Sequence, residues 1–357
     1  MKKTVSVIGH FAEGLNLSNG QTIKTRIVTD ALKETLGEKE IGVFDTHGGK
    51  LTLLKAPFQC LSALSKARNV IILPAHNGIR VYAPLLRWLR PLFKKRRLHY
   101  VVIGGWLPEF LKKRKGLKKA LLRFDGIYVE TSFMKKALEE QGFSNVYVMP
   151  NFKDLPALKE QDLVYPSLFP LRLCTFSRVN AKKGIEDAVE AVKAINEKEG
   201  YAVYSLDIYG SIDAGQEEWF ESLKKEFPDY IHYCGAVPYE ESVAVLKDYY
   251  ALLFPTHYFT EGIPGTIIDA YASGVPVIAS KWQNYCDIVD EGKTGISYPF
   301  EEKDGLKRVL TDIMHEPKAL LDMRQNCLLK AKDYSPDKAI KVLDDALNSG
   351  GSTPSTR

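Results

Sequence analysis

The sequence predicts an α/β protein built of two doubly wound, parallel-sheet domains. Three observations predict it. The chain has 357 residues, more than a single compact core usually holds. Short runs rich in Val and Ile alternate with helical patterns from end to end. Those runs are apolar on both faces, as parallel strands covered by helices on both sides must be.

In the first half the strand candidates are residues 4–8, 41–44, 70–73, 100–103, 126–129 and 146–149. In the second half they are 172–176, 204–209, 231–233, 251–254, 277–279 and 295–298. Helical patterns lie between them, for example at 185–199, 216–226, 240–249 and 305–315. The stretch 155–170 is polar, then proline-bearing, with no period, and marks the boundary. The expected domains are therefore 1–160 and 161–335. Ser335-Pro336 reads as an N-cap and first-turn proline, opening a last helix over 336–348. The tail 349–357, GGSTPSTR with a preceding serine, is expected to be disordered.

Composition narrows the class. Hydrophobic content of 45% and charged content of 26% suit a soluble globular protein. No apolar run reaches the roughly 18 residues of a membrane span, and the first residues, MKKTVSVIGH, read as a strand rather than a signal peptide. Five scattered cysteines without CxxC spacing read as reduced thiols of a cytosolic protein. No DxD motif or His/Cys cluster is present, so no metal and no cofactor is expected. The net charge of +5 conceals an asymmetry: residues 1–150 carry +15 and the remainder −10. The excess is concentrated between Arg87 and Arg123, where Glu109 is the one acid.

The chemistry concentrates in residues 260–280, TEGIPGTIIDAYASGVPVIAS. A buried strand ends at Pro255, a loop follows, and Pro264-Gly265-Thr266 fits a helix N-terminus. Gly274 suits the position just past the helix, with Pro276 beyond. A helix N-terminus past the carboxyl end of a parallel strand is where such sheets bind ligands. Amides of Gly265, Thr266 and Ile267 would meet an anion there, and glycine lets a diphosphate approach the backbone. Asp269, four residues after Gly265, would accept hydrogen bonds from a ribose, and Glu261 would reach sugar hydroxyls. Gly262, Ile263 and Pro264 complete the loop. Taken alone, Glu261 reads more readily as a helix cap and Asp269 as a solvated helix residue; it is the whole pattern that points to a site. A second anchor is CTFSRVNAKKG: Ser177 and Arg178 follow a strand end, and Lys183 comes five residues later. Two cations so placed suit a diphosphate and its leaving-group charge.

These segments resemble the family-4 retaining glycosyltransferases of the GT-B fold. The signature is two acids separated by seven residues in a context of small residues. Here it reads Glu261, Gly262, Pro264, Asp269, Ala270, Ala272, Gly274, Pro276, Val277, Ile278 and Ala279, with Asp269 where a second glutamate is usual. Arg178, Lys183 and Gly184 match the family's arginine and lysine-glycine pair. LDIYG ending at Gly210 and YCGAVPYEE with Val237 resemble its donor-domain strand ends, where loops touch a nucleobase. The likeness covers roughly residues 125–335 and is weaker before them.

The resemblance implies two Rossmann-like domains facing a cleft, with the C-terminal helix returning to the N-terminal, acceptor-binding domain. It implies a metal-independent, retaining transferase of a hexose or N-acetylhexosamine from a nucleoside-diphosphate sugar, UDP-sugar favoured. It also implies a home in capsule or exopolysaccharide synthesis. Gly20, in a glycine-bearing loop opening a helix, would contact the donor phosphate. The family often has a histidine near the reacting sugar; after the strand 100–103 this chain has Gly104 and Gly105, and His76 is the nearest substitute.

The basic cluster interleaves with apolar residues, in PLLRWLRPLFKKRRL and FLKKRKGLKKALLRF. Arg87, Trp88, Lys94, Lys95, Arg96, Arg97, Lys112 and Lys113 make an interfacial segment for an anionic membrane surface. Solvated helix faces are the plainer alternative. No recognition motif accompanies the charge, so nucleic acid is not an expected partner. A lipid-linked saccharide acceptor, met by a cytoplasmic protein peripheral on the inner face of the plasma membrane, fits both features. The competing reading is a non-catalytic glycan-binding or chaperone-like subunit on the same fold; an epimerase or phosphorylase of that fold ranks below it.

Overall fold

The computed structural model describes residues 3–15, 20–48, 50–166 and 168–348. The tail expected to be disordered, 349–357, lies outside them. The chain forms two compact units, one reaching Lys153 and including the helix from Pro336, the other Asp154–Ser335.

The first unit holds a six-stranded, wholly parallel sheet in the order β2-β1-β3-β4-β5-β6. Its strands are β1 (Lys3–Gly9), β2 (Ile41–Asp45), β3 (Ala67–Ile72), β4 (Arg97–Val101), β5 (Gly126–Val129) and β6 (Val146–Val148). Helices α1 (Gly20–Leu36), α2 (Lys50–Lys66), α3 (His76–Leu89), α4 (Leu107–Lys112), α5 (Lys115–Leu121) and α6 (Ser132–Glu139) connect them. The strands are buried nearly throughout because both faces are covered. One core lies under α2, α3 and α5. The other lies under α1 and the last helix, α14 (Pro336–Asn348). The returning helix sits there because Ala339, Ile340, Leu343, Ala346 and Leu347 form an apolar stripe against Val28 and Leu32 of α1.

The second unit repeats the plan with the order β12-β11-β10-β7-β8-β9, again parallel throughout. Its strands are β7 (Leu171–Phe176), β8 (Tyr204–Tyr209), β9 (Ile231–Gly235), β10 (Ala251–Phe254), β11 (Val277–Lys281) and β12 (Gly295–Pro299). Helices α7 (Ile185–Glu199), α8 (Glu217–Lys224), α9 (Ser242–Leu246), α10 (Gly265–Ala272), α11 (Gly305–His315), α12 (Lys318–Leu321) and α13 (Arg324–Ala331) flank it.

Strands β3 and β4 each begin three residues before the expected runs, and two larger differences from the sequence reading have clear causes. Residues 154–160 join the second unit, not the first, because Leu155 and Leu158 pack on its core and the Leu158 amide donates to the Ala272 carbonyl at 2.8 Å. The helix expected over 240–249 shrinks to a 3₁₀ turn, Tyr239–Glu241, and α9. Tyr239 is anchored to the Asp154 carbonyl at 3.1 Å, and the Tyr250 amide bonds Arg172 at 2.7 Å, so the chain must straighten into β10.

Candidate functional site

Parallel strands deliver their carboxyl ends to one edge, and in the second unit that edge gathers the predicted residues. β7 ends at Phe176, leading to Ser177 and Arg178. β8 ends at Tyr209, leading to Gly210, and β9 leads to Val237. β10 leads through Pro255 to the loop that carries Glu261.

Two glycines let these strand ends close up. A Cβ on Gly184 (φ 71°) would lie 1.9 Å from the Pro255 carbonyl oxygen. One on Gly210 (φ 135°) would lie 1.8 Å from that of Ser177. Both positions combine a left-handed backbone with direct backbone contact, which glycine alone satisfies.

Lys183 and Glu261 form an ion pair, and both side chains are mostly enclosed, 14% and 19% exposed. The Lys183 ammonium also lies 5.1 Å from the Tyr258 ring centre and 5.6 Å from that of Phe254. The Asn284 amide donates to the Glu261 carbonyl oxygen, fixing the loop that bears the carboxylate. Arg178 donates to both oxygens of Asp213, at 2.9 and 3.1 Å, and Asn180 donates to the same carboxylate at 2.8 Å. Burial pushes the Tyr258 hydroxyl above its ordinary range, with Arg178 opposing the effect and Glu261 and Asp213 adding to it.

Helix α10 starts at Gly265 with no side-chain cap. The Gly265 and Thr266 amides precede its first backbone bond, whereas the Ile267 amide, expected to be free, donates to the Pro264 carbonyl at 3.1 Å. The Thr266 hydroxyl is buried with no partner among the described residues. An unpartnered hydroxyl beside two amides outside the helix bonding leaves donors that an acceptor-rich ligand could satisfy. Gly262, Ile263 and Pro264 are buried beneath this turn. Asp269, in contrast, is 2% exposed, and its carboxylate accepts from Ser242 at 3.3 Å. The two acids of the motif therefore occupy different environments, Glu261 partly open and Asp269 enclosed.

In the first unit His76 is the first residue of α3. Its ring is stacked on Trp106 at 3.8 Å and meets the edge of Phe110 at 5.1 Å. Burial, then the nearby Arg114 cation, lowers its proton affinity. Gly104, where the resemblance suggested a histidine, gives its amide to Glu130 at 3.0 Å. Glu130 is also paired with Lys24 at 2.7 Å, both side chains 4% exposed or less. Gly20 opens α1, and no atom of the described residues beyond its own helix lies within 4 Å of where a Cβ would be. Arg87, Trp88, Lys94, Lys95 and Arg96 line one shallow pocket of about 600 Å³ with Arg90 and Arg123. Arg97 opens β4 beside it. Lys112 and Lys113 do not line it, and Lys112 is paired with Glu109 at 2.5 Å.

Sequence reasoning missed Asp213, Asn180, Tyr258 and Asn284. Asp213 had a local signal, since it lies in the turn GSIDAG after β8. The Lys24–Glu130 pair had none, its partners being 106 positions apart.

The model of the family described as "Glycosyl transferases group 1" matches residues 170–330. The amylovoran biosynthesis glycosyltransferase AmsK of Erwinia amylovora is 26% identical over 145 residues, covering 40% of this chain and 35% of that protein. The chain thus spans about a third of the length of the curated relatives it matches. Sucrose-phosphate synthase from Thermosynechococcus elongatus superposes with a TM-score of 0.72 at 16% identity, over 96% of this chain and 98% of that one. Anabaena Alr3699/HepE, solved with UDP and glucose, gives 0.71 at 14% identity, over 97% and 100%. Residues 170–330 are a glycosyl transferases group 1 domain, and the chain carries it within the two-sheet GT-B fold.

Proposed function

We propose that this chain is a retaining glycosyltransferase moving a hexose or N-acetylhexosamine from a nucleoside-diphosphate sugar, with a UDP-sugar favoured, to a lipid-linked saccharide in cell-surface polysaccharide synthesis. The observation that carries the reading is the Lys183–Glu261 pair beside the open amides of Gly265 and Thr266. A diphosphate seated on those amides meets the α10 dipole and the Lys183 and Arg178 cations together. Charge that develops on the leaving diphosphate is stabilised by groups already in place. Glu261 then faces the sugar hydroxyls, and Val237 and Gly210 lie where strand-end loops would border a base. On this reading the cations and amides do the work a divalent ion does elsewhere, and neither metal nor cofactor is required. In a front-face reaction the leaving phosphate oxygen takes the acceptor proton, so no protein base is required and His76 need not serve as one.

The acceptor and its location rest on the basic face of the first unit and on the amylovoran biosynthesis relative. On this reading attachment is peripheral, on the inner face of the plasma membrane, through that basic face; no described helix is long and apolar enough to cross a membrane.

The test is a panel of uridine and guanosine sugar nucleotides, with binding followed by thermal shift and turnover by release of the nucleoside diphosphate. One or more UDP-sugars should raise the melting temperature and be turned over in the presence of EDTA, with the anomeric configuration kept in the product. Binding without turnover for any donor or acceptor would favour a non-catalytic subunit. Failure to bind any nucleoside diphosphate would remove the donor site.

A further inference from the structure

Helix α2 buries Ala56, Cys60, Ala63 and Leu64 in the core. Its opposite face is apolar as well. Leu54 is 74% exposed, Phe58 76% and Leu61 43%, at the four- and three-residue spacing of a single helix face. A helix on the outside of a water-soluble unit ordinarily carries charge there. The neighbouring helix α3 extends the surface with Trp88, 74% exposed, and Leu92, 70% exposed, follows it. Arg96 donates to the Leu64 carbonyl at 2.8 Å, so the basic pocket that Trp88 floors adjoins the last turn of α2.

The charge around this surface has one sign. From Thr46 to Pro108 the sequence has eleven lysines and arginines and no acid. Lys55, Lys66, Arg68, Arg87, Lys94 and Lys95 form no ion pair among the described residues.

We propose that the α2 stripe, with Trp88 and Leu92, inserts into the surface of an anionic lipid bilayer while the surrounding cations meet its headgroups. The proposal rests on the membrane-located acceptor inferred above and names the element that does the anchoring. A second copy of the chain is the poorer occupant, because a two-fold contact would set the same unpaired cations against each other. A protein interface generally excludes lysine from its centre, whereas an anionic membrane attracts it. Apolar insertion and headgroup attraction together are the two signals that peripheral binding needs.

The test is co-sedimentation of the full chain with vesicles of phosphatidylglycerol and phosphatidylcholine, against phosphatidylcholine alone. Wild type should pellet with the anionic vesicles only. Leu54→Ser/Phe58→Ser should lower the partition coefficient about tenfold or more, as loss of two inserted side chains requires. Arg87→Gln/Lys94→Gln should lower it less, and high salt should remove that difference. All four positions are exposed, and circular dichroism and the melting curve check folding. Wild-type binding by Leu54→Ser/Phe58→Ser would overturn the proposal. A wild-type dimer in analytical ultracentrifugation that the same variant dissociates would also overturn it. Affinity for nucleoside diphosphates without vesicles, measured by calorimetry, should be equal in wild type and variant. Absence of that affinity in wild type would remove the glycosyltransferase reading and leave the vesicle result standing.

Discussion

Lys183 and Glu261 are ion-paired across 78 positions of sequence, one following β7 and the other following β10. Neither is free of the other, so the site is a unit rather than two independent charges. Removing one partner leaves the other enclosed and unpaired. Lys183→Ala and Glu261→Ala should each lower kcat/KM about 10²–10³-fold, as losing a preorganised charge at the reacting centre does. The double variant should lose little more than either single one. Steady-state release of nucleoside diphosphate measures all three. Additive losses would mean that the two groups act separately.

Arg178 faces a different partner, with a different consequence. Its contact with Asp213 is partly exposed, 57% and 25%, so the pair itself is worth only about 0.2–1 kcal/mol. Asp213 thus holds the guanidinium, and its larger effect is to cancel part of the guanidinium's charge. Asp213→Asn should tighten nucleoside-diphosphate binding about two- to fivefold at low salt, with the gain shrinking as salt rises. Arg178→Ala should weaken it by about tenfold, the loss of one charge-assisted contact. Calorimetric titration with UDP and with GDP reads both signs. Weakening by Asp213→Asn would show that orientation outweighs charge here.

The strands were legible because apolar runs buried on both faces leave the same mark in any context, and all twelve overlap the Val- and Ile-rich runs, with β3 and β4 starting three residues earlier. The anchors Glu261, Arg178 and Lys183 were legible because each sits in a local motif beside a strand end. What the motif could not show was side-chain environment. Asp269 and Glu261 look alike in sequence, yet Asp269 is buried and bonded by Ser242 while Glu261 is partly open. Helix α2 was opaque for a related reason: with leucines on every side, periodicity does not say which of them face the sheet. Asp213 and Glu130 acquire their partners only when distant strands become neighbours.

The close approach at Gly184 and Gly210 gives a prediction independent of chemistry. Alanine at either position faces a strained backbone and a carbonyl oxygen within 2 Å. Neither neighbour is the end of a flexible side chain, so backbone must move. Each substitution should cost at least about 2–4 kcal/mol of stability, from left-handed backbone and overpacking together. Urea unfolding followed by circular dichroism measures it. Gly20→Ala is the control: among the described residues no atom outside its own helix lies within 4 Å of a Cβ there, and the position begins a helix, so stability should change by less than about 1 kcal/mol.

His99 sits on β4 with its ring buried, and its Nδ1 is 3.1 Å from the Tyr128 hydroxyl. Its Nε2 is buried with no hydrogen-bond partner among the described residues. Burial, with the Arg97 and Arg90 cations nearby, pushes its pKa down from 6.5 to about 3. Because the folded value is depressed, the folded state holds the neutral ring while the unfolded chain takes up a proton below pH 6.5. The stabilisation is complete above that value and drains away between pH 6.5 and about 3. It should fall by about 1.4 kcal/mol for each pH unit in that window. Asp45 and Glu291, whose carboxyls are held below their ordinary range, also lose stabilisation on acidification. The informative quantity is therefore the difference between wild type and His99→Phe. At pH 7.5 the two should agree within about 1 kcal/mol, since one hydrogen bond is lost and one orphaned nitrogen is removed. At pH 5 the variant should be the more stable. Urea midpoints measured across pH 7.5 to 4.5 should diverge, and parallel curves would mean that the unfolded chain gains no proton at His99 that the fold denies it.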